Sequence, residues 1–560
     1  MPRSTLFSRT AATLSLAVAA FGLLPATSAG AAASITRPSG TAASSIAPTA
    51  AGGHAPVVTT PSGRVRGVSA DGVDSFLGIP YATPPVGSLR WTAPRSAARW
   101  TGVRSATAYG NSCPAQASTN GPRSETEDCL FINVQRPTGT PAGRKLPVYV
   151  FIHGGGLTNG SSTQMNMDKI VRESGVIGVT MNYRLGVFGF LGLPALTAAA
   201  GESGNYGFQD QQLALRWVRA AITRFGGDPN RVTIGGESAG GWSVCAHLAA
   251  PGSRGLFAKA MIQSGSCPTI TQSAAEANGT ALATAAGCPD PATALSCLRA
   301  ASTGTLLDAG SSFTARMVSV TPTLPVPPAD AVRTGHFARV PVVIGANRDE
   351  GRTFATGFIG MSQAQYTAWV GSTFAGNASA VLARYPWPAT SDRFTAAYLV
   401  GAIMTDAGLI AGIGGCANRA LTRELAGYTR TYAYEFDHRT GPGLVDLNGY
   451  VWGAGHAAEL AYLWPSFNNG TPIAPTFNPG ERQLARDMVQ YWGDFVKHGR
   501  PTASGAATQA TSAHRVSWPA YNRSGRTLSL RAGGGSTTIT DATYQAEHNC
   551  TFWSSLPAQT

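Results

Sequence analysis

The reading of this chain turns on Val232-Thr233-Ile234-Gly235-Gly236-Glu237-Ser238-Ala239-Gly240-Gly241. A short β-branched run leads into Gly-x-Ser-x-Gly, and a helix-compatible segment follows from Trp242 to Ala250. Strand, tight turn and helix in that order are the setting in which a serine hydroxyl is presented as a nucleophile. The glycines at 236 and 240 let the backbone turn sharply without Cβ clashes. The start of the following helix aims N–H groups and a positive dipole end at Ser238. With 67 glycines in 560 residues, roughly half a match to this pattern is expected by chance. The surroundings therefore decide.

Upstream, Leu146-Pro147-Val148-Tyr149-Val150-Phe151-Ile152 is a continuous apolar run, as expected of a strand buried on both faces. It empties into His153-Gly154-Gly155-Gly156. Successive glycines there are costly unless the backbone must approach something closely. Beside a nucleophilic serine they read as an oxyanion hole. Val176 to Arg184 predicts a further buried strand, and Leu213 to Phe225 a helix stopped by Gly226-Gly227-Asp228-Pro229. Downstream, strands are predicted at Ala260 to Gly265, Pro341 to Gly345 and Tyr432 to Phe436, and an amphipathic helix from Gln483 to Lys497. Such alternation implies an α/β protein, its mostly parallel sheet covered by helices on both faces. Nearer the N-terminus, Val57-Val58 and Val65 to Val68 predict a hairpin, the Pro/Gly-rich passage Phe76 to Trp91 an ordered loop, and Glu127 to Val134 the approach to a strand. With neither repeat nor linker inside 56–555, residues 56–560 read as one catalytic domain with long insertions.

Residues 1–33 read as a secretory signal: Arg3 and Arg9 precede an apolar run from Ala11 to Leu24, and small residues follow. The run is too short to span a bilayer. Residues 34–55 form a low-complexity leader expected to be disordered. The rest predicts no membrane span, so the mature protein is expected outside the cytoplasm. A net charge of +13 reflects few charges of either sign, with no basic cluster interleaved with aromatics, which argues against nucleic-acid binding. The eight cysteines suggest disulfides in an exported chain, without fixing their pairing. No cysteine or histidine grouping has zinc-site spacing, and no cofactor is expected.

A serine hydroxyl needs a base within hydrogen-bond reach, and that base an orienting carboxylate. Of nine histidines, His456 lies in the glycine-lined loop Gly453-Ala454-Gly455-His456-Ala457-Ala458-Glu459. His153 belongs to the glycine turn and His247 to a predicted helix. Glu350 follows a strand and precedes Gly351, at the edge where such sheets collect their active sites. The resulting order is Ser238, Glu350, His456.

Taken together, these stretches resemble the type B carboxylesterases, the esterase/lipase family of α/β-hydrolase fold that also contains the cholinesterases. The resemblance covers about residues 57 to 555. It is carried by Phe76-Leu77-Gly78-Ile79-Pro80-Tyr81-Ala82, Glu127 to Val134, His153-Gly154-Gly155-Gly156, Asn182-Tyr183-Arg184-Leu185-Gly186, Gly236 to Gly241, Asp349-Glu350-Gly351 and the His456 loop. It implies that Ser238 is the nucleophile, His456 the general acid/base and Glu350 its orienting acid. It implies an oxyanion hole made of the N–H groups of Gly155, Gly156 and Ala239. Ser264 resembles a supporting serine that hydrogen-bonds the acid, and Glu237 and Glu459 match acidic positions lining the site. The resemblance also implies disulfides Cys113–Cys129, Cys288–Cys297 and Cys416–Cys550, and leaves Cys245 and Cys267 open.

The segment between Cys113 and Cys129 is short and holds no tryptophan. That argues against the cholinesterases' cation–π site and against a large lipase-type flap. The expected activity is that of a secreted serine carboxylesterase on small or medium acyl esters. The alternatives are a lipase acting on longer-chain acylglycerols and a non-catalytic adhesion member of the fold. The partner is a small-molecule ester; the oligomeric state is left open.

Overall fold

A computed structural model describes residues 55–445, 447–467, 472–502 and 515–557. The expected signal segment lies outside these residues, as does all but the last residue of the leader. The centre is an 11-stranded sheet. In chain order its strands are β1 (Val68–Ala70), β2 (Val73–Pro80), β3 (Phe131–Pro137), β4 (Leu146–Ile152), β5 (Ile177–Met181) and β6 (Gly227–Glu237). They continue with β7 (Lys259–Gln263), β8 (Val342–Asn347), β9 (Thr431–Phe436), β10 (Arg526–Leu530) and β11 (Thr537–Thr540). Spatially the order is β1-β2-β3-β5-β4-β6-β7-β8-β9-β10-β11. Pairing is parallel from β5 through β10 and antiparallel at both flanks.

Two apolar layers follow from alternation along the strands. In β4, Val148, Val150 and Ile152 face one layer, and Tyr149 and Phe151 the other. The helices that matter are α1 (Asp168–Ser174), α2 (Tyr206–Ala221), α3 (Ala239–Ala249), α4 (Thr395–Ala407), α5 (Gly415–Ala426) and α6 (Pro479–His498). The first layer is closed by α2, α3 and α5, the second by α1, α4 and α6. The mostly parallel sheet with helices on both faces is as predicted, and long insertions separate β7 from β8 and β8 from β9.

Two predictions change in extent. Helix α6 begins a turn earlier than its periodicity suggests, because Asn478 accepts from Glu481 N (2.9 Å) and Glu481 accepts from Asn478 N (2.7 Å), a reciprocal cap ahead of the apolar stripe. Helix α2 starts at Tyr206, and Ile222–Phe225 is a 3₁₀ turn. Its first turns bury polar side chains that mask the periodicity, Asp210 against Arg184 (2.7 Å) and Gln211 against Ser243 (3.0 Å).

One prediction is corrected. Phe76–Pro80, read as part of a loop, belongs to β2, antiparallel to β3. The register shifts between Phe76 and Ile79, Gly78 takes φ +69°, and Pro80 ends the strand. Glycine at an irregularity and proline at a strand end are tolerated. The predicted N-terminal hairpin exists as Val57–Thr59 against Arg64–Arg66, but in a separate small sheet with Val103–Ser105. The antiparallel pair β10/β11 has no counterpart in the sequence reading.

Candidate active site

Strand β6 ends at Glu237, and the next residue, Ser238, has φ +57° and ψ −123° as the residue capping α3. A non-glycine residue held at positive φ is strained, and strain of this kind persists where surroundings over-determine it. Here the constraint is steric: a Cβ on Gly240 would stand 2.0 Å from Ile152 O, so helix and sheet meet at a distance only glycine allows. The serine is therefore pushed out of the β6–α3 turn.

The glycine turn lies against it. A Cβ on Gly154 would come within 3.0 Å of Ser238 Cβ and 2.7 Å of Glu237 Oε2. Gly155 has φ +103° and Gly156 φ +65°, and a Cβ on Gly155 would meet Asn159 O at 2.3 Å. Thr158 N and Asn159 N both donate to Gly155 O (3.0 Å), closing the turn. The N–H groups of Gly155 and Gly156 donate to no other group among the described residues. Ala239, the first residue of α3, has no acceptor within its helix. His153, buried and stacked on Tyr183 at 4.4 Å, is pushed down to about 4 by burial and is neutral.

Glu350 follows β8 and is fully buried. Its Oε1 accepts from Asn347 N at 2.7 Å, and its Oε2 lies 2.6 Å from His456 Nδ1. The other imidazole nitrogen, Nε2, is 3.2 Å from Glu237 Oε1. That oxygen has no hydrogen-bond partner, and among the described residues the Ser238 hydroxyl has none either. Phe354 covers the ring at 4.9 Å between centroids. The imidazole and the acid thus meet past the C-terminal end of β8, and the ring faces Glu237, the residue joined to Ser238. His247, by contrast, is buried between Ser253 (2.8 Å) and Gln211 (3.2 Å) and plays no part.

Three carboxylates crowd the imidazole. Burial works against a charge on His456, but Glu237 and Glu350 outweigh it and push the ring up to about 9. Burial, with Glu459 and Glu350 adding to it against the opposing His456, pushes Glu237 up to about 8. Glu459 is raised as well, by burial first and then by Glu350. Glu237 and His456 compete for one proton: when Glu237 carries it, the imidazole loses the largest influence that raises it.

Ser264 departs from expectation. It sits just past β7 at φ +46°, its N–H donates to Gly345 O (2.8 Å), and among the described residues its buried hydroxyl has no partner. The two Glu350 oxygens face Asn347 N and His456 Nδ1 instead. The support that sequence reading missed comes from Asn347 and Gln263. Asn347 Nδ2 donates to Glu459 Oε2 and Gly455 O, both at 2.7 Å, which ties the His456 loop to β8. Gln263 Nε2 donates to Glu459 Oε1 (3.3 Å), and Gln263 Oε1 accepts from Trp492 Nε1 (2.9 Å). Both are polar residues ending apolar strands, a signal available in the sequence. All eight cysteines are paired: the three expected bridges are present, and Cys245 bonds to Cys267. Among the described residues no group of His, Cys, Asp and Glu side chains is arranged to hold a metal ion.

The carboxylesterase family model matches residues 54–553. The para-nitrobenzyl esterase of Bacillus subtilis (strain 168) is 34% identical over 485 residues, covering 83% of this chain and 92% of that protein. The acetylcholinesterase of Bungarus fasciatus is 32% identical over 506 residues, covering 82% of this chain and 80% of its own length. Among solved structures, a PNB esterase superposes with a TM-score of 0.71 at 32% identity, over 88% of this chain and 99% of that one. The α/β-hydrolase architecture is shared with it.

Proposed function

Since the chain belongs to the carboxylesterase family and is a serine hydrolase of carboxylic esters, we propose that Ser238, His456 and Glu350 carry its chemistry through an acyl-enzyme. The observation that supports this most is the buried imidazole at 2.6 Å from a fully buried Glu350, facing the residue joined to Ser238. His456 Nε2 takes the proton of the Ser238 hydroxyl as Oγ attacks the ester carbonyl. Glu350 holds the ring by Nδ1 and stabilises the imidazolium. The tetrahedral oxyanion is received by the N–H groups of Gly155, Gly156 and Ala239. His456 then protonates the departing alcohol, and water repeats the sequence on the acyl-Ser238 ester. A charged Glu237 raises His456, and a proton shared with Glu237 leaves the imidazole neutral and free to accept the serine proton. Glu459, held by Asn347 and Gln263, sets the charge around that proton.

The reading is of a general esterase on small or medium acyl groups. Export through residues 1–33, leaving 56–560 as one catalytic domain, suits a chain with four disulfides. A fluorophosphonate probe followed by peptide mass analysis is the test. Labelling confined to the peptide containing Ser238, with loss of p-nitrophenyl butyrate turnover, is the expected result. Labelling elsewhere, or full turnover by Ser238→Ala, would refute it. An acyl-chain series against emulsified triglyceride separates esterase from lipase.

A further inference from the structure

Buried arginines in this chain face carboxylates: Arg90 faces Glu127, Arg136 faces Asp74 and Arg184 faces Asp210. Arg316 does not. It is half-buried, burial lowers its affinity for its own proton, and among the described residues it joins no ion pair. Its one hydrogen bond, from Nη1, goes to the neighbouring Ala315 carbonyl at 2.8 Å. The guanidinium carbon lies 4.8 Å from the centroid of the Trp242 ring, over its face. The indole N–H of Trp242 is itself buried with no acceptor. This corner therefore holds an indole N–H without an acceptor and a positive charge that no carboxylate among the described residues meets, at a cost that folding alone does not require.

Its position is built. Trp242 follows Ser238 by four residues, and Trp242 N donates to Ser238 O at 3.0 Å. Residues four apart share a face of a helix, and side chains lean toward its N-terminus, here toward the serine. One turn further, Cys245 is bonded to Cys267. Two residues beyond that cysteine, Thr269–Ile270 pairs in parallel with Met317–Val318, which begins directly after Arg316. A disulfide and a two-stranded ladder thus connect the nucleophile's helix to the arginine stacked on it.

We infer that Arg316, lying on Trp242, recognises a carboxylate carried by the acyl part of the ester, so that half-esters of dicarboxylic acids are the favoured substrate class. This rests on Ser238 being the nucleophile. A planar guanidinium pairs with carboxylate through two parallel hydrogen bonds, and partial burial strengthens the pairing. The acyl side is chosen by charge. The leaving alcohol must approach His456, where Glu237, Glu350 and Glu459 repel an anion.

The test compares kcat/KM for p-nitrophenyl hydrogen adipate and p-nitrophenyl hexanoate, which share leaving group and chain length, after subtraction of spontaneous hydrolysis. Arg316→Ala is expected to lower the adipate-to-hexanoate ratio about tenfold or more, the size of a lost charge-assisted pair. Arg316→Lys restores part of it. Free adipate should compete with hexanoate ester more weakly in Arg316→Ala than in the unmodified protein, a readout independent of turnover on the anionic ester. A ratio and an adipate inhibition constant that Arg316→Ala leaves unchanged, with hexanoate ester still cleaved, would overturn the inference alone. A folded protein that cleaves neither ester would overturn the esterase reading with it.

Discussion

Two of the described histidines are buried between two carboxylates, and their surroundings differ. His456 has Glu350 at 2.6 Å on one side and Glu237 at 3.2 Å on the other. His548 has Asp406 at 2.9 Å and Glu435 at 2.6 Å. Burial opposes the charge of each, and the flanking acids push both up to about 9. The difference lies in what else the acids hold. Asp406 also accepts from Tyr385 OH (2.7 Å) and Asn549 (2.9 Å), and Glu435 is paired with Arg348 at 3.4 Å. Every partner of His548 is thus committed, and the cluster ties α4 and β9 to the C-terminal segment. Around His456 one carboxylate oxygen and the adjacent serine hydroxyl are left open. An imidazole between acids is a fastener when its surroundings are satisfied, and is free to serve as the proposed base when one side is left unfinished.

Substitution should separate the two most sharply. Ser238→Ala is expected to lower kcat by about five to six orders of magnitude with the thermal midpoint nearly unchanged, and His456→Ala to lower kcat as far. His548→Ala should leave kcat of the folded protein within a few-fold. Next in size, Glu350→Gln should cost about four orders in kcat by mis-setting the ring; a loss under tenfold would mean that the acid lies elsewhere. For the fastener the expected effect is on stability. His548→Ala leaves Asp406 and Glu435 without their buried cation and should destabilise by about 3–5 kcal/mol in urea unfolding.

Smaller effects come from pH. His548 is raised from 6.5 to about 9 on folding. Its contribution is complete below the unfolded value and is lost as pH rises through about 9. His548→Gln should flatten that part of the stability curve. Removing the Glu237 carboxylate takes away the largest influence raising His456. Glu237→Gln should therefore move the acid limb of kcat/KM about one unit to lower pH, and His548→Gln should not move it.

The parallel core was legible because strands such as β4 and β8 are buried on both faces and read as unbroken apolar runs. Strand β2 was not, since its glycine and proline signal a turn until a register shift and the end of the strand accommodate them. Ser238, Glu350 and His456 could be proposed from the sequence because turn glycines surround the first, follow the second and precede the third. His548 was not: Asp406 and Glu435 reach it from over a hundred residues away, and nothing in His548-Asn549-Cys550 announces a partner. The Cys245–Cys267 bridge was equally silent, since pairing depends on where α3 and the turn after β7 meet in space.

The Cys416–Cys550 bond closes a covalent ring over a sequence separation of 134 residues, and His456 rides on that ring. A protease that cuts once anywhere between the two cysteines therefore releases nothing. The severed chain stays a single molecule, migrating as one band until a thiol is added and as two afterwards, and the imidazole keeps its tether throughout.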